Sequence, residues 1–436
     1  MIDKLPRDIL EYTISYINTE SLLELSRVSS YFHLLTNDEY IWKKRCFDHF
    51  NIAQDIAYRQ NGWKNLYFSL RNAAVYTWGE NFDNRLGLTP VEQSHGMPVS
   101  RKRYRSRRIG KEVAEPQEVY ALRGKGIVDI VSGGWSFHAL DRNGYVWFWG
   151  IMQSEQSINS TLGTERIEIP VMLQASIPDN DKVKFASISS GRSHCIGLAQ
   201  DGSVWHWSNS KVIQKVDLVS PKLVIQVTAN WSYSSILTDD GTVFIVPMPD
   251  DVISSKMIPA PTLVTFCASS QAILSNSEDQ IIQLAGLDKY TLALTKFGHV
   301  LKLATRNHAA FSASPEEFVI DLKHFGASEI EMNDRQGKMK RFITGAYESF
   351  AVYTDEDQVL LGSIHSNSQS RPMRLNGLDH QQVCKISFGD SGALGQGADG
   401  QNSDIPQYVN SLKNKYIVAI GFGGWQSSAL VIDIKE

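Results

Sequence analysis

Catalysis needs reactive groups that can meet, and this chain offers few. Its 11 histidines are scattered, and no HExxH, GxSxG or GxxxxGK[ST] pattern occurs. Those absences remove the commonest zinc-hydrolase, serine-hydrolase and phosphate-cradling chemistries. His194 and Cys195 set an imidazole beside a thiol, the pair that activates a cysteine nucleophile. They are neighbours at a Gly turn leading into a strand, however, where successive side chains point to opposite faces. Packing is the role expected of them. The four cysteines, Cys46, Cys195, Cys267 and Cys384, stand far apart without a CxxC pair. That spacing argues for buried free thiols in a reducing compartment, against a disulfide scaffold or zinc site. No metal, no cofactor and no catalytic residue is expected.

Groups that bind rather than react are easier to find. The run "RKRYRSRRIGKE" (101–112) carries seven basic residues and one acid. Without apolar periodicity it reads as an exposed loop. Arg101, Lys102, Arg103, Arg105, Arg107 and Arg108 would grip an acidic substrate patch, form a nuclear-import signal, or simply be solvated. Screening limits their reach to about 8 Å at physiological salt. Trp135, Trp231 and Trp425 lie in equivalent Gly turns. They either line one face or the central channel of a ring and contact a substrate, or pack between repeats.

The elements that must hold these residues repeat along the chain. A Gly or small-residue turn, an alternating stretch ending in a small residue plus Leu, a tight turn and a second apolar strand recur in "SGGWSFHALDRNGYVWFWG" (132–150), "SGRSHCIGLAQDGSVWHWS" (190–208), "ANWSYSSILTDDGTVFIVP" (229–247) and "GLDKYTLALTKFGHVLKLA" (286–304). A weaker copy runs from 344 to 363. Asn143-Gly144, Asp201-Gly202 and Asp240-Gly241 sit between β-rich runs, a strong hairpin signal. Spacings of 58, 39, 57 and 58 residues between Leu140, Leu198, Leu237, Leu294 and Val352 suit one propeller blade each. The last copy, "FGGWQSSALVI" (422–432), stops halfway, and "VYTWGENFDNRLG" (75–87) supplies a second half without a first. A ring explains the two complementary halves: Val75–Gly79 would pair with the last repeat and remove an open sheet edge. At 383–409 the template breaks, a hairpin of about twenty residues short of the other copies, so an incomplete sixth blade is expected there.

Ahead of the repeats, residues 5–50 read as short helices. Pro6 suits a first helical turn, and Leu10, Ile14 and Ile17 share one face. Thr19, Ser29 or Ser30, and Asp38 are candidate starts for three further helices. Apolar residues occupy more than one face, with Leu22 and Leu23 side by side near Leu25. A unit of some forty residues is marginal alone. Five such side chains left in water would forgo on the order of 10 kcal/mol. They pack either on the rest of the chain or on another protein.

Two family resemblances bear on that choice. Leu5-Pro6-x-Asp8-Ile9-Leu10, Leu22-Leu23-x-Leu25-Ser26-x-Val28-Ser29 and Trp42-Lys43 resemble an F-box, and "GWKNLYFSLRN" from Gly62 resembles the segment that commonly follows one. Trp78-Gly79-x-Asn81-x-x-x-Arg85-Leu86-Gly87 resembles the regulator-of-chromosome-condensation repeat, which covers roughly residues 73–436. The resemblances imply a mainly β chain: an all-α F-box (1–50), a helical linker (51–72) and a seven-bladed β-propeller (73–436) with one incomplete blade. They also imply similarity to fungal SCF-associated factors. In that reading Leu5, Pro6, Ile9, Leu10, Ile14, Leu22, Leu23, Leu25, Val28 and Trp42 dock on a Skp-family adaptor, and through it on cullin and RING subunits. The propeller then holds a protein substrate for ubiquitination and degradation, without catalysis by this chain.

Other classes stay open or are set aside. Founding members of the repeat family are guanine-nucleotide exchange factors for a small GTPase, and a scaffold that binds the adaptor without delivering substrate is a third possibility. A net charge of -4 gives no case for nucleic-acid binding, and no run of some twenty apolar residues points to a membrane. Asp3, Lys4, Arg7 and Asp8 interrupt the apolar stretch a secretory signal needs, so a cytoplasmic and/or nuclear protein is expected.

Overall fold

Five helices come first: α1 (Arg7–Ser15), α2 (Thr19–Leu25), α3 (Ser30–Thr36), α4 (Glu39–His49) and α5 (Gly62–Leu70). The computed structural model describes residues 6–50, 62–88, 112–152, 166–173, 183–208, 213–218, 222–247, 262–263, 279–304, 319–327, 341–378, 383–388, 395 and 406–433. Side-chain caps set three of the helix starts. Asn18, one residue before Thr19, accepts from Ser21 N at 2.8 Å, Ser29 from Phe32 N at 3.3 Å, and Asp38 from Tyr40 N at 2.8 Å. Each satisfies a backbone donor that the first helical turn leaves over.

The rest of the described chain forms six four-stranded antiparallel sheets. Blade 1 is built from both ends of the propeller: Ala74–Glu80 and Glu112–Glu118 with Lys415–Gly423 and Gln426–Asp433. Blade 2 comprises Ile127–Ser132, Ser136–Asp141, Val146–Ile151 and Arg166–Met172. Blade 3 comprises Phe185–Ser190, Cys195–Ala199, Val204–Trp207 and Gln214–Lys215, and blade 4 Val224–Ala229, Tyr233–Thr238, Val243–Pro247 and Thr262–Leu263. Blade 5 comprises Ile281–Gly286, Tyr290–Thr295, Val300–Ala304 and Val319–Asp321, and blade 6 Phe342–Ala346, Ser349–Tyr353, Val359–Ser363 and Met373–Arg374. The expected closure is present: Ala74 pairs with Val431, Tyr76 with Ala429 and Gly79 with Gln426.

The blade count differs from the sequence reading. Seven blades are expected from the repeat family, and six sheets form among the described residues. The described residues of 383–409 contribute no strand. Instead Val383, Ile386 and Phe388 pack with Phe342, Leu361, Leu375 and Leu378 on the flank of blade 6. These three side chains are half-buried by covering a neighbouring sheet.

First strands of successive blades pack on one another from blade 1 through to blade 6. The recurring turn glycine makes this possible. A Cβ on Gly133 would lie 2.7 Å from Gly191 O, and one on Gly191 would strike Asn230 O. Both are backbone atoms of the next blade, which cannot move aside as a flexible side chain would. The main core is continuous from Leu22 and Trp42 through Leu70, Ala73 and Val75 into Phe137 and Trp149 of blade 2. α5, read from sequence as part of a linker, thus packs into the core and carries the helices onto the ring.

Candidate functional site

The helical module is organised around Trp42, which is fully buried. Its Nε1 donates to Thr36 O at 2.7 Å, and its ring meets Tyr67 of α5 edge-on at 5.2 Å. Arg45, also buried, donates to the carbonyls of Ile14 and Ile17 and to Thr19 Oγ1, which ties the α1–α2 turn to α4. Burial lowers its pKa.

This packing sorts the expected adaptor residues. Leu10, Ile14, Leu22 and Trp42 are interior, and Leu23 and Leu25 are half-buried against the core. Pro6, Ile9 and Val28 face solvent, the last two 50% and 67% exposed. Leu5 lies outside the described residues. The outward surface also includes Tyr12, Tyr16, Tyr31, Leu34 and Tyr40, with Leu34 73% exposed. Helical spacing could have found two of these, since Tyr12 and Tyr16 are four apart on a face that Leu10 and Ile14 do not share. Their rings pack edge-on at 5.0 Å beneath the Lys44 ammonium, 4.4 Å from the Tyr16 ring centre.

In the propeller, residues from all six blades line one cavity of about 620 Å³ at the hub. Trp135, Trp231 and Trp425 all border it. Sequence reasoning missed their companions Arg192, Tyr347, Glu348, Phe388 and Phe422. The Arg192 guanidinium lies 4.9 Å from the Trp135 ring centre and 5.8 Å from that of Trp231. Trp231 in turn meets Tyr347 at 4.7 Å. The lining turns are laced together by backbone. Gly134 N donates to Arg192 O at 3.0 Å, Arg192 N to Trp231 O at 3.1 Å, Trp231 N to Leu287 O at 3.1 Å and Asp288 N to Tyr347 O at 2.7 Å. Gln426 Nε2 extends the chain from blade 1 to Gly133 O at 3.1 Å.

His194 and Cys195 are structural in their surroundings. His194 Nε2 lies 3.1 Å from Tyr233 O and 3.0 Å from Ser234 Oγ, while the Cys195 thiol donates to Ile196 O. Burial raises the thiol's pKa far above its ordinary value and holds His194 down to about 4. A thiolate with a basic imidazole is thereby disfavoured from both sides. Among the described residues no group of His, Cys, Asp and Glu is placed to hold a metal, and no helix is long and apolar enough to cross a membrane. The basic run at 101–108 lies outside the described residues.

An F-box-like family model matches residues 2–48. The chain couples an F-box-like module to a propeller similar to RCC1-type proteins. The mitochondrial RCC1 domain-containing protein RUG3 of Arabidopsis thaliana is 25% identical over 186 residues, 39% of this chain and 37% of that protein. The human E3 ubiquitin-protein ligase HERC2 is 24% identical over 199 residues, 42% of this chain and 4% of HERC2. The chain therefore spans well under half the length of either relative. The crystal structure of human WBSCR16 matches the fold over 83% of this chain and 100% of its own, with a TM-score of 0.60 and 16% identity.

Proposed function

We propose that the chain is the substrate-recognition subunit of an SCF-type cullin-RING ubiquitin ligase, working in the cytoplasm or nucleus. The observation that carries this reading is an F-box-like module with its core already filled and with Ile9, Val28 and Leu34 still facing water. Each such side chain gains roughly 1.5–3 kcal/mol when fully covered, so a Skp-family adaptor seated there has a ready source of affinity. The propeller supplies no catalytic constellation in this reading and acts by proximity. A protein held at its hub has a lysine near the ubiquitin-charged enzyme at high effective concentration. The ligase activity named in HERC2 belongs to that protein, of which this chain matches 4%.

The test is capture by a purified Skp-family adaptor and then by the cullin. Val28→Asp with Leu34→Asp should abolish capture while thermal melting stays within about 0.5 kcal/mol, as for surface changes away from packed features. Undiminished capture by that variant would refute the docking surface. The RCC1-like propeller favours a second reading, exchange factor for a small GTPase. Stable capture of a nucleotide-free GTPase, with no adaptor bound, would replace the first reading with that one.

A further inference from the structure

A second cavity, of about 530 Å³, lies where the helical module meets the ring. Glu20 borders it from α2, Arg45, Asp48 and His49 from α4, Arg71 from just past the end of α5, and Arg142 from the hairpin turn of blade 2. Elsewhere, opposite charges on the surface pair. Arg7 meets Glu11 and Asp38, and Arg123 meets Glu118 at 2.6 Å. In the cleft they do not. Among the described residues, the side chains of Glu20, Asp48, Arg71 and Arg142 make no ion pair or hydrogen bond. Arg142 is exposed and Arg71 half-buried, so both guanidinium groups are within reach of solvent.

Arg45 plays a different part. Its terminal nitrogens are committed to Ile14 O, Ile17 O and Thr19 Oγ1, so it lends the cleft charge and no donor is asked of it. The three arginines act on a common neighbour, His49, whose Nδ1 stands 2.8 Å from the Tyr67 hydroxyl. Desolvation first, then Arg45, Arg142 and Arg71, hold the His49 imidazole below its ordinary pKa, with Asp48 pulling the other way. Positive potential from the helices and from the ring thus converges on one place.

We propose that this cleft binds a small phosphorylated metabolite that also carries hydroxyl groups, a sugar monophosphate in chemical class, and that the ligand bridges the helical module and blade 2. The phosphate lies between Arg71 and Arg142, whose planar forks match its oxygens. Glu20 and Asp48, which only accept when ionised, take hydrogen bonds from the hydroxyls. Two uncommitted cations suit one dianion. A longer run of phosphates would crowd negative charge against the two carboxylates, which disfavours a polyphosphate or a nucleic acid. The volume falls within the range of small-molecule sites, and such sites collect where packed units meet. A ligand held by both units favours the arrangement in which both can touch it, by mass action. The metabolite's level then sets how firmly the docking end is fixed to the ring, a control that goes beyond the ligase reading and does not depend on it.

The experiment titrates the full chain by calorimetry with glucose 6-phosphate, inorganic phosphate, glucose and a phosphoserine peptide. Glucose 6-phosphate should bind at least tenfold more tightly than each of the other three. Arg71→Gln and Arg142→Gln should each weaken it at least tenfold, and Glu20→Gln with Asp48→Asn should erase its advantage over inorganic phosphate. Binding should also raise the pKa of His49, followed by NMR and assigned with His49→Gln, because a bound anion offsets the arginines. Arg142 sits on an exposed turn, and thermal melting checks that its variant keeps the fold. No phosphate binding, equal affinity for glucose or inorganic phosphate, tighter binding of the phosphoserine peptide, or a folded Arg142→Gln chain with undiminished affinity would overturn the assignment.

Discussion

The two parts of this molecule handle apolar surface in opposite ways. Among the described residues, the helical module exposes seven large hydrophobic side chains between Ile9 and Tyr40. The propeller, several times larger, exposes 11, spread from Phe82 to Trp425. In the propeller, stacked sheets bury apolar residues against each other, and the residues suited to binding collect inside a hub. In the module, a small core around Trp42 satisfies the fold and leaves an outer surface for something else. Scattered exposed hydrophobics need no explanation, whereas a dense group does. In the proposed function one end is covered by a partner and the other is filled.

That contrast can be broken most forcefully at the ring closure. Gly79 has φ 99°, and a Cβ there would run into Trp425 O, the strand-end carbonyl that also accepts from Glu80 N at 2.8 Å. Gly79→Val should cost more than about 4 kcal/mol, the scale of backbone strain combined with a lost strand pairing. Calorimetry should show the propeller transition collapsing, and adaptor capture should persist. Trp42→Ala should do the converse at about 3–5 kcal/mol, abolishing adaptor capture while the propeller transition remains.

Acid should also distinguish the parts. His138, His194 and His206, all in blades 2 and 3, are buried and held neutral by desolvation, His138 down to about 3 and His194 to about 4. Unfolding releases them to an ordinary value near 6.5. The unfolded chain therefore binds more protons, and the stability these groups confer is complete above pH 6.5 and lost as pH falls toward 4. Each contributes a slope of about 1.4 kcal/mol per pH unit in that window. Thermal midpoints of the propeller should drop steadily from pH 7 to pH 5, and His206→Gln should flatten the fall by one histidine's share. The smallest expected effect lies back in the module: Asn18→Ala removes the α2 cap and should cost about 1 kcal/mol by urea melting.

Much of the ring was legible because its signals are local. The Asn143-Gly144, Asp201-Gly202 and Asp240-Gly241 turns mark hairpins whose strands pair as the alternation requires. The split first blade was legible too, since complementary half-repeats have few other uses. The break at 383–409 was legible but the number of sheets was not, because only their neighbours decide that Val383, Ile386 and Phe388 cover blade 6 instead of forming strands of their own. Nor was the division of the helical leucines. Leu22 and Leu23 are adjacent and equally apolar, and the first is fully buried while the second is half-covered. Arg192 drew no notice as one charged residue in a glycine turn. Its meaning comes from Trp135 and Trp231, which the curvature of the ring brings to it from either side.

The strand Ala74–Glu80 finds its hydrogen-bonding partner, Gln426–Asp433, only about 350 residues later. At ribosomal rates of about 5–20 residues per second, it waits roughly 20–70 s with Val75 and Trp78 uncovered. The helical module has emerged long before then. In the ligase role proposed above, a ribosome that stalls or stops short of Gln426 would release the docking half without its receptor half, a decoy that occupies adaptors and delivers nothing. Fidelity through the codons for Gln426–Asp433 is therefore a condition for the rest of the chain to be harmless.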